Sequence, residues 1–67
     1  MQKWEYKVIK VHRVSWEDSD TKESIGRHEE TGGVFNSLGQ QGWELAATGF
    51  DANGNPVTAV FKRAVEA

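Results

Sequence analysis

The tightest constraint in this chain is the point where a helix must stop and a strand must begin at once. In Leu38-Gly39-Gln40-Gln41-Gly42-Trp43, Gly42 suits the left-handed position just past a helix end. That makes Trp43 and Leu38 the two side chains that touch across a Schellman cap. Upstream, Thr31 is placed to N-cap the helix, and Val34, Phe35 and Leu38 gather on one side of it. Gly32, Gly33 and Gly39 each cost about 1 kcal/mol relative to Ala, so packing must hold this helix. Gly39 is expected to let it sit close on a sheet.

Strands are expected on both sides. Residues 4–14 are rich in aromatic and β-branched types and alternate from Trp4 through Tyr6 to Val8, which predicts a strand burying that face. Ile9 and Val11 then fall on the opposite face, so both faces are expected to be partly buried. Residues 43–50 alternate with Trp43, Leu45 and Ala47 together, and residues 57–63 read as a further strand. Between them Asn53-Gly54 is a strong hairpin signal, and Pro56, unable to donate to a ladder, belongs at the strand mouth. A two-residue turn would pair 46 with 61. The register that groups Phe61 with Trp43 and Leu45 collects the large side chains under the helix and is preferred.

The expectation is therefore α+β: a three-stranded antiparallel sheet in β-α-β-β order, with residues 57–63 in the middle as a split arrangement, and one short helix on one face. The whole of 1–67 is expected to be one domain, because a chain this short has a single marginal core. Residues 15–30 are expected to be an exposed acidic connection, turning at Asp18-Ser19-Asp20-Thr21 with a short extra strand around 22–28. Counted from Asp18 as an EF-hand loop, the fifth and sixth positions hold Lys22 and Glu23 where an oxygen ligand and Gly are needed, so calcium is not expected.

Charge is segregated along the chain. Lys3, Lys7, Lys10 and Arg13 against Glu5 leave +3 over residues 1–14, whereas residues 15–30 carry −4, and the total is −2. This reads as solvated faces of opposite sign. With no general basic character, a nucleic-acid polymer is not an expected partner. The absence of cysteine excludes disulfides and thiolate metal sites, leaving oligomerisation as the support for a small core. No run of residues has the length and apolarity of a signal peptide or a membrane span, which predicts a cytoplasmic protein with no membrane partner.

The inventory for chemistry is thin. His12 and His28 lack the spacing of paired ligands, and Ser15, His28 and Asp51 carry no nucleophile signature. No catalytic residue, metal or cofactor is expected, and the chain reads as a non-enzyme. Trp4 and Trp43 read as core. Trp16 lies among charges outside the regular elements and reads as a contact residue, for a partner chain or a stacked base. Glu44 is expected to point away from the helix.

Residues 4–8 (Trp-Glu-Tyr-Lys-Val), residues 38–45 (Leu-Gly-Gln-Gln-Gly-Trp-Glu-Leu) and the final Phe61-Lys62-Arg63 together resemble a family of small bacterial and phage proteins of unknown function. The resemblance covers both ends and the box, but not residues 15–33. It implies a small α+β domain with no assigned activity and carries over no catalytic residue.

Two functions follow as expectations. One is a homo-oligomeric interaction module, a scaffold, adaptor or inhibitor of a larger protein, with Ile9, Val11, Phe50 and Val60 at its interface between copies. The other is a small-ligand binder whose oligomer interface, lined by Trp16, Lys7, Lys10 and Arg13, holds an anionic aromatic molecule such as a nucleotide. The expected partners are the chain itself, as a dimer or higher, with another protein or a small anion besides.

Overall fold

The computed structural model describes residues 1–65. It is α+β, with one short helix and an antiparallel sheet of five strands where a three-stranded sheet was expected; one of the two further strands falls within the short extra strand expected around 22–28. β1 (Lys3–His12), β2 (Ser15–Asp18) and β3 (Ser24–Arg27) form a meander. A 3₁₀ turn (His28–Glu30) leads into α1 (Thr31–Gln40), and the chain returns as β4 (Glu44–Phe50) and β5 (Pro56–Val65). The order across the sheet is β3-β2-β1-β5-β4. The last strand lies between the first and the fourth, as the split arrangement predicts.

The additional strands come from residues 15–30, which are not merely an exposed connection. The charge segregation is what zips this region onto β1. Lys10 faces Glu17 and Ile9 faces Asp18 across the ladder, and the His12 imidazole lies 3.0 Å from Glu17. Opposite charges directly across a strand pair favour that register. The basic and acidic runs meet each other within one hairpin.

Trp16 is the largest correction. It lies in β2 at 0% exposure, against Phe35 at 5.4 Å and the His28 ring at 5.8 Å. A buried indole needs an acceptor for its N–H. Trp16 Nε1 finds it in the Thr31 hydroxyl at 2.8 Å, and that hydroxyl donates to the His28 carbonyl. Thr31 is thereby the first helical residue and not its N-cap, which falls at Glu30 with no side-chain bond.

Trp16 also decides which face of the sheet is covered. It pairs with Val11, while Ile9 and Lys7 pair with Ala59 and Phe61. The core beneath α1 is Ile9, Trp16, Val34, Leu38, Trp43, Ala59 and Phe61, with Val11, Ile25 and Phe35 packed on it. Ile9 and Val11 thus face the helix, contrary to the expectation that they face away. Trp4, Tyr6 and Val8 take the other side.

The helix stop is as predicted. Gly42 has φ 91°, its N–H donates to the Gly39 carbonyl at 3.0 Å, and Trp43 N–H donates to the Leu38 carbonyl at 3.0 Å. These are the two bonds of a Schellman cap. The hairpin register also follows expectation: Leu45 pairs with Phe61, and Pro56 opens β5 opposite Phe50. The close approach of helix to sheet, however, is not at Gly39, where a Cβ would meet nothing within 4 Å. It is at Gly26 in β3, where a Cβ would lie 2.4 Å from a Val34 methyl. Among the described residues no helix is long and apolar enough to cross a membrane.

Candidate functional site

With ten residues at about 1.5 Å each, α1 spans about 15 Å, whereas β1 and β5, at about 3.3 Å per residue, run roughly 33 Å. The helix covers less than half of one sheet face. On the remainder of that face the chain places charge. Lys7 Nζ donates to Asp18 at 3.1 Å and lies 5.2 Å from the Trp43 ring centre, and Arg63 stacks on the same ring at 4.2 Å while pairing with Glu5. Asp18 is buried and accepts from the amides of Asp20 and Thr21 as well. The amide of Asp20 above all, with the Lys7 ammonium, outweighs the burial and holds its carboxyl below the usual carboxylate range. Each group here is partnered inside the chain, and the cluster reads as structural.

The second face has no helix. The ladder registers place Trp4 beside Ala64, Tyr6 beside Lys62 and Glu44, and Val8 beside Val60 and Ala47, in successive rows. Phe50 lies opposite Pro56 at the far end of β4. These side chains are well exposed, with Trp4 at 43%, Tyr6 at 60%, Val8 at 41% and Phe50 at 59%. Lys62 Nζ lies 4.5 Å over the Trp4 ring. Such aromatics carry much of the energy of protein contacts when they are desolvated. The rim is mixed in sign: Lys10 and Lys62 are balanced by Glu17 and Glu44, which faces away from the helix as expected.

The residues named from sequence divide between the faces. Phe50 and Val60 are on the helix-free face, and Ile9 and Val11 are under the helix. Trp16, Lys7, Lys10 and Arg13 do not converge. Trp16 is in the core, Lys7 is on the helix side, Lys10 is on the open face, and Arg13 is in the β1–β2 turn. A fully buried Trp16 has no surface with which to stack a ligand. Sequence reasoning missed Trp4, Tyr6 and Val8 as surface residues. The signal was that a single helix can cover only one face of the sheet, so one of the two apolar faces of β1 has to stay open.

Among the described residues no three of His, Cys, Asp and Glu come together as metal ligands. No family model, curated protein or solved structure matches the chain.

Proposed function

We propose that this protein is a small non-enzymatic interaction module that works as a homo-oligomer, with the helix-free sheet face as its contact surface. In this role it serves as scaffold, adaptor or inhibitor of a larger protein. The observation that carries the reading is the helix-free row of Trp4, Tyr6 and Val8, continued by Val60 and Ala47, with Phe50 exposed beyond Thr58 on the same face. A contiguous apolar patch of this kind on a small protein marks a contact site.

Two quantities favour a second copy as the occupant. β1, β2, β4 and β5, at about 3.3 Å per residue and about 4.8 Å apart, present a projected footprint of roughly 490 Å², about three-fifths of the ~800 Å² per partner of a standard interface. The accessible surface is 4796 Å², against about 4250 Å² for a compact monomer of this mass. The charge pattern points the same way. A face that meets itself across a two-fold axis must not carry one sign, and Lys10 and Lys62 are offset by Glu17 and Glu44. A polyanion would be better served by an unbalanced basic face.

Sedimentation equilibrium at micromolar concentration tests this reading. The expected mass is twice 7.5 kDa or a higher multiple, with Val8→Lys giving a folded protein of single mass. A wild-type mass of 7.5 kDa across the concentration range overturns the homo-oligomer.

A further inference from the structure

At the end of the sheet where the β1–β2 turn meets the end of β3, Arg13, Val14, Arg27, His28 and Glu29 line a cavity of about 220 Å³. This is room for roughly seven waters at ~30 Å³ each, and it falls below the ~300 Å³ at which pockets for drug-sized molecules begin. The space suits a small polyatomic ion with part of its hydration. Two arginines, a histidine and one glutamate are among the residues that line it.

The frame is held from several directions. His28 N–H donates to the Val14 carbonyl at 2.8 Å, tying the turn to the end of β3. The His28 carbonyl accepts from Thr31, and the ring stands edge-on to buried Trp16. Its Nε2 lies 2.7 Å from the Pro56 carbonyl, which can only accept, so Nε2 carries the hydrogen. In the neutral ring Nδ1 is then an acceptor. The Arg27–Glu29 pair, at 3.0 Å, is two-thirds exposed at both ends and screened by water, so Arg27 is readily recruited by another anion.

Arg13 has φ 62°, in the left-handed region. Asn or Gly is the usual occupant of such a turn position, and a bulky side chain there is strained. The two-residue turn between His12 and Ser15 requires a positive φ at its first position, and Arg13 fills that position.

We infer that this cavity is a site for hydrogen phosphate, with Arg13 and Arg27 donating to its oxygens and His28 Nδ1 accepting from its remaining P–OH. Guanidinium forks match the tetrahedral oxyanion, and a neutral acceptor selects an ion that still carries a proton. The site goes beyond the oligomer reading and does not rest on it.

The test is a titration of the isotope-labelled full-length chain with inorganic phosphate at pH 8 and constant ionic strength, followed by amide and His28 ring resonances. Saturable shifts are expected at residues 13, 14 and 27–29. Sulfate, equal in charge to hydrogen phosphate but without a proton to donate, should bind at least five-fold more weakly. Arg13→Asn, which relieves the turn, should melt no lower than wild type and lose at least ten-fold in affinity. Glu29→Gln should bind more tightly. Shifts spread over Lys3, Lys10 and Lys62 without saturation would mean ionic screening alone. That result, equal binding of sulfate, or an unchanged affinity in Arg13→Asn overturns the assignment.

Discussion

At the residue scale, the chain relies on a few side chains whose surroundings leave little freedom. Gly26 is one, since a methyl there would collide with Val34 across the helix–sheet contact. Gly26→Ala is expected to lower stability by about 1–3 kcal/mol, the usual cost of forcing extra volume into a packed core. Thermal or urea unfolding measures it, and an unchanged midpoint would remove Gly26 from that contact. Gly33 is the opposite case. It lies within α1 with open space where its Cβ would be, so Gly33→Ala should raise stability by about 0.5–1 kcal/mol through helix propensity alone. Asp18 supplies a pH dependence. Its carboxyl is held below the ordinary range by the Asp20 amide first and by Lys7. Its contribution is therefore complete above the unfolded carboxylate value near 3.8 and is lost as pH falls through the lower folded value. Asp18→Asn should destabilise at pH 7 by roughly 1–2 kcal/mol, in line with charge-assisted hydrogen bonds, and the difference from wild type should shrink toward pH 2. Urea unfolding at both pH values tests this, and a gap of equal size at pH 2 would contradict it.

At the element scale, the junction of α1 and β4 governs how the helix is laid across the sheet. The two capping bonds fix the direction in which the chain leaves the helix, and Trp43 enters the core as the next residue. Gly42→Ala puts a side chain into a left-handed position and should cost about 1 kcal/mol, seen as a lower melting temperature. Asn at the same site should recover part of the loss, since it tolerates this conformation better than Ala. A variant that melts with wild type would show that the junction is held by Trp43 packing alone. The β1–β2 hairpin is built differently. Its register rests on Lys10 facing Glu17, on Lys7 reaching Asp18 and on Val11 facing Trp16, so packing and charge agree there.

At the scale of the whole molecule, the chain is elongated, with extents of 40 × 22 × 20 Å, because a five-stranded sheet carries a single ten-residue helix. The unshielded face follows from that imbalance. If copies associate through it, Val8→Lys and Tyr6→Lys should weaken assembly by more than ten-fold in dissociation constant while leaving the far-ultraviolet spectrum in place. Lys7→Gln, on the helix side, should leave assembly unchanged. Equal effects from both sets would move the contact away from this face.

The sequence by itself determined the elements whose signals are local. The Gly42-Trp43 stop and the Asn53-Gly54 turn with Pro56 at the strand mouth depend on neighbours in the chain, and the place of the last strand between the first and the fourth follows from the connection rules that order such elements. Only the tertiary structure decided which side of β1 is the inside. Period-two alternation marks two faces but does not say which one the helix will cover, and both Trp4-Tyr6-Val8 and Ile9-Val11 had a claim. The choice was made by Trp16, which the polar residues around it had disguised as surface. Paired with Val11 and bonded to Thr31, it commits that face to the core, since a buried indole needs both packing and an acceptor and finds both there. The cavity at Arg13, Arg27 and His28 was equally invisible in one dimension. Its lining residues lie up to sixteen positions apart and meet only because β2 and β3 fold back beside β1.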